Sequence, residues 1–120
     1  RISGCYNNNY SEIFLKGLPY LETSRKKNSF SDSISLVFLN YLSNDYDSHL
    51  LRKYGIEKAS KIKKKASVVK KMKNMTKMAI SMKKFDCYLK FFNLNPGTCA
   101  DLTVTTLLIS KIRDIFKFQI

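Results

Sequence analysis

The stretch Pro96-Gly-Thr-Cys-Ala-Asp-Leu-Thr-Val-Thr-Thr-Leu-Leu-Ile-Ser-Lys-Ile-Arg-Asp-Ile-Phe116 decides the fold class. Thr98 and Asp101 have the Thr-x-x-acid spacing of a capping box, and Pro96-Gly97 shapes a turn into it. Leu102, Thr105, Leu108, Ile109, Ile112 and Phe116 follow at helical spacing, which predicts a continuous apolar stripe on a final helix starting between Pro96 and Ala100. Upstream, Val68, Met72, Met75, Ala79 and Met82 are spaced four, three, four, three, a heptad-like seam for a partner helix that is too short for a coiled coil. A break near Asn74 would split that region into two antiparallel helices, the second ending near Phe92.

Further outward the same period recurs. Asp32 to Leu42 predicts a helix with Ser31 as cap and Ile34, Val37, Phe38 and Tyr41 on one face, although the β-branched and aromatic content also suits a buried strand. Asp47 to Tyr54 reads as another helix, resuming after Gly55. Asn9 and Glu12 mark a cap for a short helix that would stop or kink at Gly17 and Pro19. With 4 Gly, 2 Pro and no internal repeat in 120 residues, the expectation is an all-α multi-helix bundle in a single domain, 1–120.

The chain has 22 Lys+Arg against 9 Asp+Glu, a net charge of +13, and 18 of the 22 cations are Lys. Residues 58–90 hold 12 Lys and one acid, Asp86, for +11, leaving about +2 elsewhere. The plain reading is a solvated helical face with its apolar seam turned inward. The sharper one is a basic stripe for nucleic acid from Lys58 to Lys84, but its interleaved residues are Met, Val and Ala, which offer no stacking platform. No apolar run nears the roughly 18 residues of a membrane span and no signal core opens the chain, so a soluble, cytoplasmic protein is expected. Cys5, Cys87 and Cys99 are odd in number and show no Cys-x-x-Cys spacing, which argues against a disulfide framework or a zinc site.

Two polar constellations carry possible chemistry. In Asp47-Ser-His-Leu-Leu-Arg-Lys-Tyr-Gly55, Ser48 and Arg52 share a helix face and could point into a cleft; equally, Asp47 is an N-cap, Gly55 a terminator, and Arg52-Lys53 complement the helix dipole. His49 is the single histidine, so no His pair is available for a triad or metal cluster. In Asn95-Pro-Gly-Thr-Cys-Ala-Asp-Leu102, the capping box explains Thr98 and Asp101, while free N–H groups after Gly97 would suit a phosphate, with magnesium between it and Asp101. Cys99 fits a small buried thiol better than a nucleophile.

Together these motifs, in this order and near the C-terminus, resemble the C-terminal half of the triphosphoribosyl-dephospho-coenzyme A synthase family. The matching residues are Asp47, Ser48, Arg52, Lys53 and Gly55, then Asn95, Pro96, Gly97, Ala100, Asp101 and Leu102. Glu12-Ile-Phe with Leu18-Pro19 is similar to the preceding segment of archaeal-type members. Ser48 replaces a usual Thr, Arg52-Lys53 replaces the His-Arg of malonate-type members, and Thr98-Cys99 replaces a common Gly-Ser.

The resemblance implies an all-helical transferase that moves the 5-triphosphoribosyl group of ATP to 3′-dephospho-CoA and releases adenine. It also implies Asp47 and Asp101 as catalytic carboxylates or magnesium ligands, with their roles open, and Ser48, Arg52, Lys53, Gly97 and Thr98 as phosphate-binding residues. Family members are more than twice this long. The chain therefore reads as a C-terminal portion, not expected to be active alone. A nucleic-acid-binding module, or the same fold with a changed nucleotide ligand, are the alternatives.

Overall fold

The computed structural model describes residues 13–119, with side chains described from 13 to 116 apart from Met75. A π-helical turn, Ile13–Gly17, leads into six α-helices: α1 (Leu18–Arg25), α2 (Phe30–Asn44), α3 (Ser48–Tyr54), α4 (Ile56–Lys70), α5 (Met75–Phe91) and α6 (Gly97–Gln119). There is no strand among the described residues, as the helical periodicity requires. The N-terminal cap expected at Asn9 and Glu12 lies outside them.

The chain does not stop at Gly17 and Pro19 but continues through them into α1. Pro19 falls in the first turn, where a missing N–H breaks no intrahelical bond. Gly17 is needed for a different reason. A Cβ there would collide with the Tyr41 hydroxyl and lie 2.9 Å from Thr106 Oγ1, so the absence of a side chain is what lets the first segment approach α2 and α6.

Helix α2 is the hub and packs on α4, α6 and α1. Ser29 caps it, its hydroxyl accepting from the Asp32 amide at 3.1 Å, two residues before the expected Ser31. Of its expected inner face, Val37 and Tyr41 are buried and Ile34 and Phe38 half-buried; Leu36, Leu39 and Leu42 add buried positions on other sides. A helix covered from several directions loses the single-face signal. Its buried Asn40 is satisfied by the Lys70 ammonium, 2.6 Å from Oδ1, and burial together with neighbouring Lys71 holds the Lys70 pKa below its ordinary value.

The break at Asn74 stands, since its side chain caps α5 by accepting from the Lys77 amide at 3.1 Å. The heptad seam stands only in part, with Met72 and Met82 half-buried against the core and Met75 outside the described side chains. Val68 is 61% exposed and Ala79 is exposed, whereas the buried positions are Ala59, Ile62, Ala66 and Val69 on α4 and Met78, Phe85 and Leu89 on α5. The loop between α4 and α5 resets the helical phase, so one register cannot run through both.

Helix α6 is rotated from its expected stripe, of which Leu102 is buried and Ile109 half-buried against the core while the other members are not. Cys99, Leu102, Thr103, Thr106 and Ser110 face inward, while Thr105, Leu108, Ile112 and Phe116 are exposed, as are Val104 and Ile115. The buried hydroxyls are tolerated because Thr103 and Thr106 donate to the carbonyls of Cys99 and Leu102, each at 2.7 Å. Thr106 thereby spends its single proton, so in the 2.7 Å contact between the two hydroxyls Tyr41 is the donor. Small inward side chains bring α6 close to α2. Crossed pairs at the surface, Arg25 with Asp114 at 3.5 Å and Arg113 with Glu22 at 3.6 Å, join it to α1.

The Gly17, Tyr41 and Thr106 contact gives a stability test. Gly17→Ala should destabilise by about 2–3 kcal/mol through overpacking, and Tyr41→Phe by about 1–2 kcal/mol through the lost buried hydrogen bond. The double variant should lose less than the sum, because the atom that the new methyl strikes is gone. Urea denaturation of the four proteins measures the coupling, and strict additivity would refute this account of Gly17.

Candidate functional site

The site is built where two helices begin. Asp47 is the N-cap of α3, in extended backbone geometry at φ −66° and ψ 123°, with Oδ1 accepting from the Leu50 amide at 3.0 Å. Its Oδ2 accepts from the amide of Cys99, in the first turn of α6, at 2.8 Å. One carboxylate, 1% exposed, therefore holds the N-termini of α3 and α6 together. Each helix start carries roughly half a positive charge, so a buried anion placed between them is stabilised without a cationic side chain.

This arrangement changes how α6 is capped. The Thr98 and Asp101 capping box predicted from spacing does not close: Thr98 Oγ1 is buried without a hydrogen-bond partner, and Asp101 is exposed. Asp47 supplies the cap from 52 residues away. Sequence spacing reports local partners, and a cap delivered across the fold leaves no such signal.

The expected site residues divide into two environments. Asp47, Ser48 and Thr98 are buried, and Gly97 sits against the His49 ring, where an added Cβ would lie 3.6 Å from Cγ. Asp101, one turn into α6, and Arg52 and Lys53, in the last turn of α3, are exposed. Arg52 Nε donates to the Ser48 carbonyl at 3.4 Å, so the cation lies back along its own helix, and Lys53 rests 5.4 Å from the Tyr54 ring centroid. Gly55 ends α3 at φ 88°, a left-handed geometry that favours glycine, with its N–H on the Leu51 carbonyl at 3.0 Å. The Tyr54 hydroxyl donates to the Asn93 carbonyl at 3.0 Å, which ties the end of α3 to the loop before α6. Cys99 is fully buried, in keeping with a packing thiol.

No group of three or more His, Cys, Asp or Glu side chains is placed to hold a metal among the described residues. A magnesium ion is commonly bound through one or two carboxylates plus substrate phosphates and water, and the exposed Asp101 fits that pattern. Both oxygens of Asp47 are engaged by amides, which fits it less well.

With the motif pair joined in space on an all-helical scaffold, a family comparison becomes informative. Residues 1–119 match the sequence model of the CitG family, ATP:dephospho-CoA triphosphoribosyl transferase. The chain belongs to that family. No curated protein and no solved structure matches it. The CitG family acts on ATP and a CoA-derived nucleotide. No helix among the described residues is long and apolar enough to cross a membrane.

One set of side chains escaped sequence reasoning. Folding brings aromatic rings of α5 and its C-cap near lysines of α4: Lys65 Nζ lies 4.5 Å and Lys61 Nζ 5.9 Å from the Tyr88 centroid, and Lys58 Nζ 5.8 Å from that of Phe92. Within either segment alone the lysines are interleaved with aliphatic residues, and the pairing arises between helices. The recoverable signal was the three-residue spacing of Phe85 and Tyr88 on a helix already expected to pack against α4.

The Asp47 bridge is open to direct test. Asp47→Asn keeps the shape but turns an amide NH2 toward one of the two donors, and should cost about 2–3 kcal/mol of stability. Denaturant midpoints measure it; an unchanged midpoint would show that the carboxylate does not join the two helices.

Proposed function

We propose that this protein acts in transfer of the 5-triphosphoribosyl group of ATP to 3′-dephospho-CoA with release of adenine. The observation that carries the reading is family membership over residues 1–119, combined with the convergence of its two motifs on one buried carboxylate. In this reaction the C1′–N9 bond of ATP breaks and a bond forms from C1′ to the acceptor's ribose 2′-oxygen. The hydroxyl proton passes to a base, and adenine leaves carrying a proton in turn. Positive charge builds at C1′ as the glycosidic bond opens, and a fixed carboxylate lowers that barrier.

The two carboxylates suit different tasks. Asp101 is exposed in the first turns of a long helix, and we assign it the contact with substrate, as base or as the ligand of a magnesium ion neutralising the triphosphate. Asp47, buried with both oxygens on amides, is assigned as the positioning residue that fixes α6, and with it Asp101, relative to α3. Arg52 and Lys53 are exposed at the end of α3 and free of carboxylate ion pairs among those described, which leaves them suited to triphosphate oxygens, and we assign Ser48, Gly97 and Thr98, at the starts of α3 and α6, as residues supporting them from within.

In the intact protein, Asp101→Asn should lower adenine release from ATP in the presence of dephospho-CoA by at least about 100-fold, with the helical circular dichroism unchanged. Arg52→Ala should raise KM for ATP about tenfold, the scale of one lost charge-assisted contact, with a smaller effect on kcat. Wild-type rates in both variants would overturn the site assignment. Absence of adenine release from the unsubstituted protein would overturn the activity.

A further inference from the structure

The lysine-rich segment forms more than a solvated face. Between α4 and α5 lies an open groove of about 650 Å³, lined by the buried Val69 and Phe85 and half-buried Met72 at its floor, by the exposed Val68, by Lys61, Lys64, Lys65 and Lys84 toward its rim, and by Ser81 and Tyr88. Its volume is in the range of small-molecule sites, roughly 300–1,000 Å³. Among the described residues no carboxylate lines it, and the surrounding residues 58–90 carry +11 net charge with Asp86 as their single acid. Asp86 is itself taken by Lys90 at 2.8 Å. The groove is therefore complementary to a ligand that is anionic at its edge and apolar along its body.

We infer that this groove binds the acceptor nucleotide, a nucleoside diphosphate bearing an extended, largely uncharged arm. The lysine rim would take the diphosphate, the apolar side chains of Val68, Val69, Met72 and Phe85 the arm, and the Tyr88 ring the base. ATP would leave that apolar floor idle, because its charge and its base account for the whole molecule. A single-stranded nucleic acid fits less well: of the two aromatic residues in the lining, Phe85 is only 7% exposed, so one ring is available where a strand would use several. The cation–π contacts of Lys61 and Lys65 with Tyr88 place the two ammonium groups 5.9 Å and 4.5 Å from the centroid of the ring that a base would cover, and binding would exchange them from ring to phosphate. A smaller hollow lined by Ile56, Glu57 and Ser60 shares Lys61 and Lys64 with the groove, which extends the basic rim toward the start of α4 and thus toward the end of α3.

This inference rests on the proposed transferase reaction for the identity of the ligand. Titration calorimetry of the intact protein should show dephospho-CoA binding at least about fivefold more tightly than ADP, the contribution of the arm. Val68→Ser, at an exposed position, should remove that preference while leaving ADP affinity within twofold. The pair Lys64→Glu and Lys65→Glu should weaken both ligands about tenfold or more and flatten the salt dependence. Equal affinity for ADP and dephospho-CoA, or dephospho-CoA binding unaffected by Val68→Ser in a protein with unchanged circular dichroism, overturns the inference. An oligoadenylate RNA that binds more tightly than dephospho-CoA, and does so independently of Val68, reassigns the groove to nucleic acid and overturns it as well. Failure of the transferase reading is seen separately: dephospho-CoA would still bind in the groove, and ATP would yield no adenine.

Discussion

The carboxylate of Asp47 is the constraint on which the site depends. Two helices that start 49 residues apart, at Ser48 and Gly97, have to be fixed with their N-termini side by side, and neither has enough local capping to do this alone. A single acidic side chain accepting from Leu50 and Cys99 solves both problems, since each helix end supplies the unpaired N–H groups and partial positive charge that a buried carboxylate needs. The contact also determines direction. Gly55, left-handed at φ 88°, then turns the chain from α3 into α4, so the lysine-rich helix follows from a corner whose other arm is α6.

A second constraint is the sidedness of α6. A helix normally buries its most apolar face, yet here Cys99, Thr103, Thr106 and Ser110 go inward and Leu108, Ile112 and Ile115 stay out. Close approach explains the choice. Small side chains let α6 lie near α2, and the internal Thr-to-carbonyl bonds remove the penalty of burying hydroxyls. The Tyr41 hydroxyl then finds Thr106, and Gly17 slots in beneath. The molecule measures 48 × 37 × 19 Å, its thin dimension about two helix diameters, a shape in which most helices keep one face uncovered.

Much of this was legible in the sequence, for reasons that particular residues make clear. Helix class, the breaks at Gly55 and Asn74, the Asp47 cap and the start of the last helix are local signals, set by neighbours within four residues, and they appear where expected. Three features were not legible. The heptad seam through Val68 and Met82 carried one phase across the break expected at Asn74, and the α4–α5 loop resets that phase. The stripe on α6 identified the apolar face, but hydropathy alone does not tell which face meets α2 when the alternative face is small and internally hydrogen-bonded. The Asp47 to Cys99 contact spans 52 residues, and nothing local at Thr98 or Asp101 announces that their capping box is pre-empted.

The lysines pose the remaining physical question, because packing so many like charges on α4 and α5 opposes folding through mutual repulsion. The buried stripe of α4 is narrow, confined to Ala59, Ile62, Ala66 and Val69, which leaves most of its circumference to solvent. Long aliphatic stems covering apolar surface account for some of the lysines, as where Lys70 reaches across to Asn40 and Tyr20. They do not account for four lysines lining an apolar hollow in whose wall no acid stands among the described residues. A merely solvated helical face gains nothing from concentrating one sign of charge around a hydrophobic floor, whereas a surface that binds an anion gains from both. The charge distribution that opposes folding is thus the one that an anionic, apolar-bodied ligand would offset on binding.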